Sequence, residues 1–253
     1  TKVVLILYKQ NNGNMIWDVY GYDRSSMIYV LAGIFIIVVI IIGGVKGIKS
    51  LVSLMFTLVT VIFLMLPLMF RGVEPMLAAV VSATLSIIVT LSLVSGINKK
   101  TVTAIIGTIS GVVISGIIAY IFGELTHSSG MTMNDTESLI YIAEGTNLKV
   151  KGIMFAGILI ASLGAVMDVA MSISSSLFEI YEVNKYIKQI DLFKSSMNIG
   201  KDIIGTMTNT LILAYVGGAL KLILLFMACN MPITEILNKE TIVEEIISAI
   251  AGS

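Results

Sequence analysis

The chain has 253 residues, 57% hydrophobic and 13% charged, with sixteen basic residues balancing sixteen acidic ones and a mean hydropathy of +0.98. Soluble domains carry about 45–50% apolar and about 25% charged residues, so a single soluble core is excluded and lipid is the solvent the composition fits. Zero net charge gives no global attraction to nucleic acid, and the single cysteine, Cys229, excludes a disulfide within these residues.

Residues 1–24 come first as a water-exposed segment. Val3 to Tyr8 and Met15 to Tyr20 are rich in β-branched and aromatic residues and flank the turn-forming run Asn11-Asn12-Gly13-Asn14, a pattern that predicts a β-hairpin. A lone hairpin is marginal in water. It is therefore expected to end an extracytoplasmic β-rich domain that lies upstream, with a loose interfacial tail as the alternative. The opening at Thr1 has no basic leader and cleavage site, and the chain stops just after the apolar periodicity of Ile242, Ile246, Ile247 and Ile250 begins. Both ends thus read as cut.

Residues 25–253 read as an all-α polytopic membrane bundle of about six or seven spans. Runs near the ~20 residues that cross ~30 Å of hydrocarbon are predicted at 27–45, 51–70, 76–95, 102–123, 153–178 and 203–221, with a further helix starting from 242. The first two are Ile, Val, Leu, Phe and Met almost throughout. The third and fourth carry small residues at helical spacing, Ala78, Ser82, Ser86 and Thr90, and Gly107, Gly111 and Ser115, which predicts close helix packing. Val183, Ile187, Ile190, Phe193 and Met197 alternate with lysines as in an amphipathic helix on the membrane surface, over 183–198. Lys221 is placed to snorkel, and Leu222 to Cys229 is too short to span.

Lysines fall in alternate connections: Lys46 and Lys49, then Lys99 and Lys100, then Lys185, Lys188, Lys194 and Lys201. The positive-inside rule makes those cytoplasmic. The connections holding Arg71 with Glu74, and Glu124, Asp135, Glu137 and Glu144 with Lys149 and Lys151, become external, as does the hairpin. The expected location is the cell membrane, with the N-terminal region outside.

The polar residues of interest lie on the fifth and sixth spans. At 3.6 residues per turn Asp168, Ser172, Ser175 and Glu179 form one stripe, and Asn198, Asp202, Thr206 or Gly205, and Asn209 another. An Asp at a helix centre costs about 2.5–3.5 kcal/mol on insertion scales, so Asp168 is expected to face the bundle interior. One reading makes it a proton or cation acceptor on a translocation path, with Asn209, Thr206, Ser172 and Ser175 as neutral ligands, Asn198 and Asp202 at the cytoplasmic end, and Gly164 and Gly205 giving helix mobility. The plain alternative is a helix-registering hydrogen bond worth about 0.6 kcal/mol. Asp202, in a first helical turn, serves the helix dipole or a gate. His127, beside Ser128-Ser129-Gly130, has no companions at metal-ligand spacing. No phosphate loop, zinc signature or nucleophile elbow occurs, so neither a cofactor nor an enzyme is expected.

Trp17-Asp18-Val19-Tyr20 with Asp23-Arg24, Asp168-Val169-Ala170-Met171-Ser172, and Gly205-Thr206-Met207 with Asn209-Thr210-Leu211-Ile212-Leu213-Ala214-Tyr215 resemble the YibE/F family of bacterial integral membrane proteins over nearly the whole chain. The resemblance is to its YibE-like members, in which an extracytoplasmic β-rich domain precedes the membrane part. It implies a membrane bundle and gives weight to Asp168 and Asn209, and it carries no particular chemistry.

Three functions follow as expectations. The first is a gradient-coupled permease centred on Asp168, since no ATP-binding motif is present. The second is a non-transporting scaffold or accessory subunit of an envelope complex. The third is an intramembrane aspartyl hydrolase using Asp168 and Asp202, disfavoured because Asp202 reads as nearer the cytoplasmic surface. The partners expected are the lipid bilayer, a proton or cation, and a second membrane subunit or another copy of the chain.

Overall fold

The computed structural model describes residues 3–9, 15–126, 147–149 and 152–252. The turn predicted at residues 11–14, His127 with Ser128 to Gly130, the acidic residues Asp135, Glu137 and Glu144, and Lys151 lie outside the described residues. Cα packing divides the chain into two compact units, Thr1–Val52 and Ser53–Ser253.

In the first unit β1 (Val3–Lys9) and β2 (Met15–Tyr22) pair antiparallel, with Leu5 opposite Val19 and Leu7 opposite Trp17, and the register shifts between Val4 and Leu5. Asp23 then closes the entry to α1 (Ser25–Thr60), its carboxylate accepting the Ser25 N–H at 3.0 Å. Hydrogen bonds from the Ser25 side chain and backbone hold the Asp23 carboxyl below its ordinary range. The first two predicted spans fall in one helical run, broken at Gly44, where φ is 53° and ψ −133°. Left-handed φ is costly for any residue with a Cβ. The bend is sharp: Gly47 is buried, and a Cβ on it would meet the Val39 carbonyl, though eight helical residues span about 12 Å in a straight helix.

The second unit begins with the last turns of α1, a π-helical turn at Val61–Met65, and α2 (Leu66–Phe70). Pro67 explains the π-turn. Its ring has no N–H and would crowd the carbonyl four residues back, and the extra residue in the preceding turn takes up that conflict. Then α3 (Pro75–Ser95) starts on Pro75 in its first turn and ends at Gly96, with φ of 76°. Asn98 caps α4 (Lys99–Leu125): its side-chain oxygen accepts both the N–H and the hydroxyl of Thr101, at 2.9 and 3.1 Å.

α5 (Ile153–Val183) is the hub, packed against α3, α4, α6 (Gln189–Ala228) and α8 (Glu240–Gly252), with the short α7 (Ile233–Leu237) leading into α8. The α4–α5 seam shows why small residues recur in this chain. Gly107, Gly111, Gly116 and Gly123 receive Ala170, Val166, Leu159 and Phe155 in antiparallel order. Phe155 also meets the Tyr120 ring edge-on, with centroids 5.8 Å apart. On α3 the small residues Ala78, Ala79, Ser82, Ala83 and Ser86 are all buried. Thr90, on the stripe of Ala78, Ser82 and Ser86, approaches Thr57 of α1 with their hydroxyls 3.4 Å apart. These stripes bring backbones together.

The run predicted as a separate surface helix over 183–198 is divided differently. α5 continues to Val183, and after a short break Gln189 starts a helix that is unbroken through Ala228, 40 residues or about 60 Å long. Gly200 does not interrupt it, because that glycine is buried and faces Ile173. Five helical stretches are long and apolar enough to cross a membrane: Ser25–Phe70, Pro75–Ser95, Lys99–Leu125, Ile153–Val183 and Gln189–Ala228.

Candidate functional site

On α5 the residues turned to α4 are Phe155, Leu159, Val166 and Ala170. Asp168 lies about 200° around the helix from both Val166 and Ala170. It shares an exposed stripe with Gly157, Ala161, Gly164 and Ser172, continued by the half-buried Ser175 and the exposed Glu179. Asp168 was expected to face inward; within a single chain it does not. The inward positions are taken by bulky apolar side chains that fill the glycine notches of α4, which leaves the polar residues the remaining face. No hydrogen bond or ion pair engages the Asp168 side chain among the described residues.

α6 follows the same rule. Gly200 faces Ile173 of α5, and Ile204, Met207 and Leu211 line a cleft with Val166 and Ile173. Asn209 sits two residues from both Met207 and Leu211, so about 200° away. Asn198, Asp202, Thr206 and Asn209 are all exposed. The Thr206 hydroxyl donates to the Ile203 carbonyl of its own helix at 2.9 Å. The structure therefore does not join Asp168 to Asn209 or Thr206 within one chain. Nor does it give Asp168 and Asp202 the shared-proton contact of an aspartyl dyad. The six polar residues with Ser175 form two separate stripes, one on each helix.

The cleft between α4, α5 and α6 has a volume of about 430 Å³ and is mainly apolar, with Thr103 and Ser174 as its polar residues and Gly252 at one end. Ser174 is held there because its hydroxyl donates to the Lys100 carbonyl at 2.7 Å.

A second polar group was missed by the sequence reading. α8 enters beside the Thr126 end of α4, where Val243 and Phe122 border one cavity, and runs until Ala251 and Gly252 lie beside Ser115, Ser162 and Tyr215. The Ser115 hydroxyl reaches both the Ala251 carbonyl, at 2.5 Å, and the Ser162 hydroxyl, at 3.4 Å. One face of α8, Glu244, Ile247 and Ala251, is buried. Glu244 is 7% exposed and its Oε1 has no hydrogen-bond partner among the described residues. The available signal was Glu244, three residues before Ile247 and beside Glu245, within the periodic run of isoleucines. The periodicity of Ile242, Ile246, Ile247 and Ile250 by itself leaves open which side meets the bundle.

No group of three or more His, Cys, Asp or Glu suited to a metal occurs among the described residues. Long apolar helices, interlocked through small residues and carrying few charges, define a multi-pass helical membrane protein. The family model for YibE/F-like proteins matches residues 31–253, and the chain belongs to that family. No curated protein and no solved structure matches it.

Proposed function

We propose that this protein is a gradient-coupled permease of the bacterial cytoplasmic membrane, without catalytic chemistry of its own. Its polar path runs along the Asp168 stripe of α5. The observation that carries this reading is the uncovered face itself: Gly157, Ala161, Gly164, Asp168 and Ser172 are exposed on a helix long and apolar enough to span. A carboxylate on such a face is poorly matched to lipid. Water, or a second subunit, would have to solvate it. In this reading Asp168 is the ion acceptor, Ser172 and Ser175 line the path, and Asn198, Asp202, Thr206 and Asn209 of α6 complete it when another copy of the chain abuts. The lysine-rich connections are cytoplasmic, and the hairpin of β1 and β2 belongs to an exported β-rich domain.

The scaffold reading draws support from the bareness of α6, where 6% of the most apolar window is buried inside the chain. Single cysteines placed along α5 in a Cys229→Ser background separate the two readings. A membrane-impermeant maleimide applied to native membranes labels Gly164→Cys, Asp168→Cys and Ser172→Cys, and spares Val166→Cys and Ala170→Cys, if the stripe lines water. Uniform absence of labelling on the stripe, with Lys185→Cys reactive in opened vesicles, refutes the permease and leaves the scaffold.

A further inference from the structure

Glu244 presents a different electrostatic problem from Asp168. The residue lies on the buried face of α8, 7% exposed, with Oε1 shielded from solvent and unpartnered among the described residues. Removing an ionised carboxylate from water without a partner costs several kcal/mol, and such a group takes up a counter-charge or neutralises.

Among the described residues, no cation of the surrounding elements pairs with it. On α8 itself the neighbours one turn back and one residue on are Glu240 and Glu245, both of like charge. From α4 the titratable groups toward this end are Tyr120 and Glu124, and from α6 they are Tyr215 and Lys221. Tyr215 shares a cavity of about 230 Å³ with Glu245, and Lys221 is exposed. From α5 the half that meets α8, Ile153 to Ser162, has no titratable residue. From α7 comes Glu235, paired at 3.6 Å with Lys239 of the connection to α8. With no metal-binding group of three among the described residues, the neutralising species that fits is a proton.

We propose that Glu244 is a proton-binding site of the bundle, exchanging its proton near neutral pH while α8 is seated against α4 and α5. This site is separate from the Asp168 stripe and does not depend on the permease reading. The surroundings suit an exchangeable proton. α8 is anchored by its Glu244, Ile247 and Ala251 face, while its other sides border two apolar cavities of about 290 and 230 Å³. A loosely bordered helix can shift, and a shift that admits water to Glu244 releases the proton.

Infrared difference spectroscopy of the full chain in phosphatidylethanolamine and phosphatidylglycerol vesicles reads this directly, whether or not the protein transports anything. Exposed glutamates titrate near about 4.3 and give no protonated-acid carbonyl band at neutral pH. The wild type is expected to keep such a band at neutral pH. Glu244→Gln removes a component that Glu245→Gln retains. Glu244→Asp, a shorter acid that preserves the charge chemistry, moves that component and serves if Glu244→Gln fails to assemble. A band absent from the wild type, or untouched by both Glu244 substitutions, overturns the proposal. Maleimide labelling of the α5 stripe reports separately on the permease, so the two failures are distinguishable.

Discussion

Gly123→Ala tests the interlocking of α4 and α5 at its tightest point. A Cβ on Gly123 would run into the Phe155 ring, 2.6 Å from Cζ, and Phe155 is 4% exposed. The ring cannot swing freely, since it lies against Tyr120 and in the cluster of Ala119, Met154, Ile158, Ile247 and Ala251. Overpacking of this kind costs about 1–3 kcal/mol, while Gly to Ala in a helix returns about 1 kcal/mol. The net expectation is destabilisation of up to about 2 kcal/mol. At about 2–4 °C per kcal/mol for a chain of this size, a thermal melt of the purified protein in mild detergent resolves it. Gly164→Ala is the control, because a Cβ there meets nothing within 4 Å; it should leave the midpoint unchanged or raise it. Phe155→Leu should restore part of the stability lost in Gly123→Ala, as contacting positions couple. A midpoint that rises in Gly123→Ala as much as in Gly164→Ala would show that helix propensity governs this seam and would refute the packing argument.

Two smaller perturbations probe the same unit. Asn98→Ala removes the cap of α4 and should lower stability by about 1 kcal/mol, with faster hydrogen exchange confined to the first turn of α4. Ser115→Ala breaks the bond to the Ala251 carbonyl and should cost about 0.6 kcal/mol, whereas Ser110→Ala, whose exposed hydroxyl bonds the Ile106 carbonyl of its own helix, should cost almost nothing in the same denaturation assay.

The membrane class was legible in the sequence because it depends on composition and run length, which need no knowledge of neighbours. The small-residue stripes were legible for a related reason: Gly107, Gly111 and Ala78 have little use at regular spacing other than close approach. The inward orientation of Asp168 was an inference from cost, and it omitted a competing demand. Val166 and Ala170 claim the inward face because the glycines of α4 leave room for them. Helical periodicity fixed that Asp168, Ser172 and Ser175 share a face, and likewise Asn198, Asp202 and Asn209, but a period has no origin.

What this sequence by itself determined is thus the solvent, the spans it can form and the grouping of residues on each helix, since all three follow from local hydrophobicity and a repeat of 3.6. The tertiary structure decided which face of each helix meets another. It broke α1 at Gly44 through a backbone angle that no hydropathy pattern encodes, and it made α6 continuous because Gly200 faces Ile173 without ending the helix. It buried Glu244 and left Asp168 exposed, because partners for a face are supplied by other helices, distant in the chain, whose packing is settled by shape.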